Sequence, residues 1–158
     1  MTAEDLTEID LAYAPPYASA KDPVNMAGYV IENILESTMK QIHWDEALGI
    51  ASTNTKAVIL DTRTQAEFNR GHIEGTCNPI LHIPVDELRS RLSEIPSDKQ
   101  LLVHCATGVR SYIACRILMQ NGFNCTNIAG GYTFYAALYK DKNCLLYTSD
   151  AADELDGV

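Results

Sequence analysis

The stretch that most constrains this chain lies between residues 101 and 121. An apolar run, Leu101-Leu102-Val103, leads into His104-Cys105-Ala106-Thr107-Gly108-Val109-Arg110, and an amphipathic segment from Ser111 to Asn121 follows. A short unbroken apolar run, a turn of small residues and then helical periodicity describe a buried parallel strand feeding a helix. At such a junction the N–H groups of the loop and of the first helical turn have no partner of their own. With the helix dipole they form a cradle for an anion. A thiolate is such an anion, so Cys105 is expected to ionise more readily than a free cysteine. Gly108 permits a turn that a Cβ would resist, and Arg110 adds a permanent positive charge. Taken alone, a cysteine after an apolar strand is more often core filler than a nucleophile. The glycine three positions on and the arginine five on tip that balance. Cys105 is therefore the candidate catalytic residue, and Ala106, Thr107, Gly108, Val109 and Arg110 its binding loop.

Around this stretch short strands alternate with helices, the pattern of an α/β protein with a central parallel sheet. Gln41-Ile42-His43 reads as a short edge strand and Trp44 to Leu48 as a short helix. Ala57-Val58-Ile59-Leu60 is wholly apolar, as expected of a strand covered on both faces. It ends in Asp61-Thr62-Arg63 and a short helix through Glu67 and Phe68. Gly71-His72-Ile73-Glu74-Gly75 and Asn78-Pro79 follow, then a helix from Val85 to about Leu92. Gln100 to His104 is the central strand, Thr126-Asn127-Ile128 another, and Gly130-Gly131 opens a last helix from Tyr132 toward Tyr139.

The order of these signals resembles the rhodanese family: an Asp-x-Arg after the second strand, a Gly-His-Ile-x-Gly turn, an Asn-Pro, a Cys-x-x-Gly-x-Arg loop and a Gly-Gly before the last helix. The resemblance spans about Met39 to Tyr139. It implies the rhodanese-like fold and a sulfurtransferase, with Asp61 and Arg63 supporting the loop rather than reacting. Arg63 and Glu67 also have the spacing of a plain surface ion pair. His72, Cys77 and His82 fit no tetrahedral pattern, so no metal site is expected. His72 reads as a structural turn residue and His104 as a satisfied core residue. Cys77, Cys115 and Cys125 read as packing in strand or helix interiors.

Before this region, Asp22-Pro23 gives a helix start, acid as N-cap and proline at the first position. Val24, Ala27, Ile31, Ile34 and Leu35 form an apolar stripe to about Ser37, behind a loose acidic leader. Asp10 to Gly28, with its Tyr13-Ala14-Pro15-Pro16-Tyr17, resembles the end of the dimerisation domain of coenzyme A-disulfide reductases, some of which carry a C-terminal rhodanese domain. Residues 1–37 are accordingly expected to be a remnant of that domain and 38–143 a rhodanese domain truncated at its end. The stretch Cys144 to Glu154 back-translates cleanly to a sequence that resembles a transposon-derived sequencing adapter, so 144–158 is expected to be read-through rather than native protein.

Charge follows the same division. The net charge is −9, yet residues 39–143 hold eleven Lys and Arg against ten Asp and Glu. The acidity sits at the ends: one Lys against seven acids in residues 1–38, and four acids with no base in 144–158. No basic cluster suggests nucleic acid, and no apolar run suggests a membrane span. Five irregularly spaced cysteines do not form a disulfide framework, so a reducing cytoplasm is the expected location.

The resemblance implies that Cys105 takes the outer sulfur of a donor as a persulfide and passes it to a thiol acceptor or cyanide. The donor would be a small persulfide or polysulfide, or thiosulfate. The loop has no cation before Arg110, which favours the less charged donors. No cofactor is expected in this segment, whereas FAD, NAD(P)H and coenzyme A are implied for a parent enzyme, itself a homodimer. Two other readings stay open. A phosphatase of the same fold has five residues between cysteine and arginine where this chain has four, a ring better suited to one sulfur than to a phosphate. A non-catalytic sensor or docking module is the other.

Overall fold

The computed structural model describes residue 2, residues 4–10 and residues 22–138. The stretch read as adapter-derived lies outside the described residues. Two compact units divide the chain, Met1–Lys40 and Gln41–Val158.

The second unit is built on five parallel strands: β1 (Gln41–Ile42), β2 (Ala57–Asp61), β3 (Leu81–His82), β4 (Gln100–His104) and β5 (Cys125–Ile128). Their spatial order is β1-β5-β4-β2-β3, which puts β4 in the middle and β1 at an edge. Helices join the strands: α2 (Trp44–Thr53), α3 (Gln65–Asn69) and α4 (Val109–Gln120), with residues 131–138 forming a last helix, α5. Every residue of β2 is buried, as its apolar composition requires. Ile59 and Leu102 share a core cluster with Trp44, Ala47 and Ala51 of α2, and with Ile73 and Ile128. The two-residue period of a strand sends their neighbours Leu60, Leu101 and Val103 to the opposite face. Ala114, Cys115, Ile117 and Leu118 of α4 are buried there with β4 and β5.

The β2–β4 register pairs Asp61 with His104, the last residues of the two strands. The segment after Asp61 and the loop after His104 therefore emerge side by side at the carboxyl edge of the sheet. In open parallel sheets that edge is where ligands bind.

β3, only two residues long, was not read from the sequence, and two helical segments differ from their expected form. α2 runs on to Thr53 instead of ending at Leu48. Residues 85–92 do not form an α-helix; two 3₁₀ turns stand there, Leu88–Ser90 and Leu92–Glu94. Val85, Leu88 and Leu92 have helical spacing, but a step of three suits a 3₁₀ turn as well. The N–H of Val85 is tied to the Thr62 carbonyl at 3.2 Å, and the following N–H groups bond three residues back. Arg91 (φ −114°, ψ 17°) leaves the helical region and separates the two turns.

In the first unit α1 spans Pro23–Leu35, with Asp22 at the N-cap but no side-chain capping bond. Its buried residues are Asn25 and Gly28, while Val24, Met26, Val30, Ile34 and Leu35 are exposed. The acidic leader is not loose over residues 4–10. Asn25 Nδ2 donates to the carbonyls of Leu6 and Ile9 at 3.1 and 3.0 Å, and a Cβ on Gly28 would meet Leu6 and Thr7 at 2.9 Å.

Leu102, fully buried in the central strand, bears on the whole second unit. Leu102→Ala should lower the unfolding free energy by about 2–5 kcal/mol, the range for such truncations in a close-packed core. Urea denaturation followed by circular dichroism would measure it.

Candidate active site

Cys105 follows β4 directly and is buried. Gly108 N–H donates to its sulfur at 3.1 Å. Gly108 adopts φ +128°, a left-handed conformation that glycine alone enters cheaply, and it caps the N-terminus of α4. Burial pushes the Cys105 thiol up. The hydroxyl and N–H of Ser111, with the N–H groups of Gly108 and Thr107, pull it down and prevail, leaving it below the ordinary cysteine value. The Ser111 hydroxyl also reaches the Gly108 carbonyl at 2.9 Å.

The outer side of the loop is held by α5. Tyr132 N–H donates to the Cys105 carbonyl at 2.7 Å and Thr133 N–H to the Ala106 carbonyl at 3.0 Å. Gly131 sits so close that a Cβ would lie 2.4 Å from the Ala106 oxygen, and its φ is +60°. The Trp44 indole N–H donates to the Gly131 carbonyl at 2.9 Å, fixing α5 from the sheet side.

Beneath the loop lies a buried ion pair. Arg63 grips Asp61 through its backbone N–H, Nε and a terminal nitrogen, the last at 2.6 Å, and donates to the Gly71 carbonyl at 2.8 Å. Its guanidinium lies 3.8 Å from the centre of the Tyr132 ring. Thr62 gives both its N–H and its hydroxyl to the His104 carbonyl at 2.9 Å. His104, expected to be a satisfied core residue, is buried but only half satisfied: its Nδ1 lies 3.3 Å from the Cys105 carbonyl. Its Nε2 is buried without a hydrogen bond, 3.7 Å from Asp61 Oδ2. Burial outweighs the nearby carboxylate and pushes its pKa down to about 4, so the ring is neutral.

Arg110 lies in the first turn of α4, half-buried, and meets the Glu67 carboxylate with two hydrogen bonds of 2.7 Å. The Arg110 bonds come first in holding the Glu67 carboxyl far below the usual range. Burial opposes them and Thr64 adds to them. The surface pair between Arg63 and Glu67 that their spacing allowed is not formed: Glu67 pairs with Arg110, and Arg63 touches only its backbone carbonyl, at 3.5 Å.

The remaining cysteines and histidines are placed as follows. Cys115 and Cys125 are buried together, and the contact with Cys125, followed by burial, raises the Cys115 thiol far above the ordinary range. Cys77 is not in an element interior. It lies exposed in the loop before β3, its thiol donating to the Ser52 carbonyl at 2.8 Å. It also lines a surface cavity of about 470 Å³ formed by residues between Phe68 and Ile80, to which the cysteine loop contributes nothing. His72 and His82 both stack on Phe68, with ring centres 4.4 and 4.2 Å away. Among the described residues no group of three or more His, Cys, Asp or Glu is placed to hold a metal ion.

A strand, a cysteine loop capped by glycine, a buried Asp-x-Arg beneath it and a final helix docked through Gly-Gly thus meet at one sheet edge. The family model for the rhodanese-like domain matches residues 45–138, more than half of the chain. The chain belongs to the rhodanese-like domain family. A sulfurtransferase of Allochromatium vinosum is 38% identical over 93 residues, 58% of this chain and 83% of that protein. Among solved structures, the reduced CoADR-RHD of Bacillus anthracis, a coenzyme A-disulfide reductase, is 39% identical with a TM-score of 0.80 over 89% of this chain and 24% of its own. A NAD-dependent persulfide reductase from A. fulgidus is 40% identical with a TM-score of 0.71, over 85% of this chain and 23% of its own. The chain thus spans about a quarter of the length of those two proteins. Among the described residues no helix is long and apolar enough to cross a membrane.

Ser111 and Glu67 are the site residues that sequence reasoning missed. Ser111 was legible, since the first helical turn after a loop faces whatever the loop cradles. Glu67 was not, because its contact with Arg110 crosses 43 residues.

Two outcomes follow for the rhodanese-like loop. The alkylation rate of Cys105 by iodoacetamide, read by peptide mass spectrometry, should show a pH midpoint below that of an ordinary cysteine; Ser111→Ala should move it upward. Gly131→Ala should slow the same reaction at neutral pH by roughly tenfold, because the loop must give way to the new Cβ.

Proposed function

We propose that this chain transfers sulfur through a persulfide on Cys105. The observation that carries the reading is a buried sulfur with a lowered pKa, served by backbone N–H groups of Thr107, Gly108 and Ser111. The Cys105 thiolate attacks the outer sulfur of a donor R–S–SH. A bond forms between the two sulfurs, the donor's S–S bond breaks, and the thiolate RS⁻ leaves. An acceptor thiolate then attacks the outer sulfur of the Cys105 persulfide and regenerates the Cys105 thiolate. Each half-reaction is a displacement at sulfur, so the kinetics are ping-pong. The N–H donors stabilise anionic sulfur both before and after loading. Asp61 and Arg63 position the loop from below and touch no reacting atom.

In its cellular setting the domain serves a coenzyme A-disulfide or persulfide reductase. That enzyme would be a cytoplasmic homodimer that uses FAD and NAD(P)H bound outside this rhodanese-like domain. The two reductases named above match 89% and 85% of this chain, more than the rhodanese-like stretch alone provides. The exposed apolar residues of α1, Val24, Ile34 and Leu35, suit a helix that packs on further protein. Coenzyme A persulfide, or a polysulfide, is the natural donor in that setting.

Treatment with a persulfide donor should add one sulfur, seen by mass spectrometry, to the peptide holding Cys105. Cys105→Ser should abolish both the added mass and thiocyanate formation from cyanide while leaving the circular dichroism spectrum unchanged. Finding the sulfur on Cys77, Cys115 or Cys125 instead would refute the assignment.

A further inference from the structure

Arg110 is the one cation the loop supplies, and it is already matched by a carboxylate. Both terminal nitrogens of Arg110 bind the two oxygens of Glu67 at 2.7 Å, in the bidentate geometry that makes such pairs strong. The pair is only partly exposed, 31% for Arg110 and 29% for Glu67. Glu67 is fixed independently of Arg110. Its Oε2 accepts from the Thr64 N–H at 2.9 Å and from the Thr64 hydroxyl at 2.8 Å, closing a capping box on α3. The carboxylate therefore does not depend on Arg110 for its place, and it stays when a ligand approaches.

The charge at the loop follows from this. Arg110 and Glu67 cancel, so the ionised sulfur leaves the mouth with about one net negative charge. Asp61 and Arg63 cancel beneath it. An incoming donor then meets backbone dipoles, which solvate a sulfur anion, but no uncompensated cation that would hold a second negative charge.

We propose that Glu67 is a specificity-determining residue: by neutralising Arg110 it turns the loop against doubly charged sulfur donors and towards singly charged ones. The inference rests on Cys105 being the sulfur-accepting residue. It predicts how the donor's charge, at constant chemistry, sets the rate.

Thiosulfate and methanethiosulfonate make that comparison. Each gives its outer sulfur to the Cys105 thiolate; the S–S bond breaks and sulfite or methanesulfinate leaves with the electron pair. Cyanide then takes the sulfur from Cys105 as thiocyanate. The donors carry charges of −2 and −1 around the same transferred atom. In the unaltered protein, methanethiosulfonate should be the better donor in kcat/KM, and the thiosulfate rate should stay flat or rise as salt is added. Glu67→Gln keeps an oxygen for the capping box and removes the charge. It should lower the KM for thiosulfate by roughly tenfold and for methanethiosulfonate by about threefold, since the electrostatic gain scales with the donor's charge. Thiosulfate turnover by the variant should then fall with ionic strength. Equal changes for the two donors, or none, would overturn the proposal. So would a thiosulfate rate that already falls steeply with salt in the unaltered protein, a measurement that needs no variant. If a persulfide loads Cys105 but neither of these donors does, in the unaltered protein or the variant, the proposal is overturned; if a persulfide does not load it either, it is the sulfur-transfer reading itself that fails.

Discussion

The structure of the site depends on which way two carbonyl groups point. Tyr132 N–H holds the Cys105 carbonyl, and Thr133 N–H holds the Ala106 carbonyl. A trans peptide holds its C=O and its N–H in one plane, pointing in opposite directions across the C–N bond. Pinning the Ala106 oxygen toward α5 therefore turns the Thr107 N–H the other way, to the sulfur. The lowered Cys105 thiol reflects that N–H together with those of Gly108 and Ser111. The cradle is thus set from outside the loop as well as by the dipole of α4. This also explains why the Gly-Gly before α5 belongs to the site: only a residue without a Cβ lets α5 come so near the Ala106 carbonyl.

The layer below carries a cost of its own. Asp61 and Arg63 are almost wholly buried, and removing two charges from water costs several kcal/mol per ion unless every donor and acceptor is matched. Arg63 is matched by Asp61, by the Gly71 carbonyl and by the Tyr132 ring. In return it ties β2 to the turn at Gly71 and to α5, three segments distant in sequence. His104 is the one member left partly unmatched. Its neutral ring packs edge-on against Trp44, with centres 5.3 Å apart, and Trp44 in turn anchors Gly131. The chain from the ion pair to the cysteine loop is continuous contact, which is how residues that touch no substrate can fix the geometry of one that does.

How much of this was legible in the sequence follows from the range of the interactions. β2, β4 and α4 were readable because an apolar run buried on both faces and a helical stripe are local patterns. The cysteine loop was readable for the same reason: glycine at a left-handed position and a helix start are decided within six residues. The segment 85–92 was misread because its apolar spacing suits two helix types, and a single tether from Val85 to Thr62 contributed to the choice. Cys77 was assigned to an element interior because free cysteine is among the most buried residue types, whereas it stands exposed in the loop before β3. The Arg63–Glu67 pair failed on competition. Spacing showed that the two could meet, but Asp61 lay nearer to Arg63 and Arg110 was the better partner for Glu67. Local pattern states which contacts are allowed, and only the fold states which partner wins.

The kind of donor group at the site has a consequence for its chemistry. A cradle of N–H dipoles differs from a cluster of cations in its reach. Both lower the thiol's pKa, and both weaken the thiolate as a nucleophile, by about 0.4–0.5 log units in rate per pKa unit. Here Glu67 matches the Arg110 charge, although Arg110 also interacts with Cys105, and the strongest downward pulls on the Cys105 thiol are hydrogen bonds from Ser111, Gly108 and Thr107. Such bonds are local, and they serve an anion at the loop centre whether it is the thiolate or the outer sulfur of a persulfide. A displacement at sulfur moves negative charge from the attacking to the leaving sulfur, two S–S bonds away, and creates none. Once the loaded persulfide gives up its proton, its outer sulfur is an anion one S–S bond from the place of the thiolate and meets the same donors, which keeps the loaded state from being disfavoured against the free thiolate.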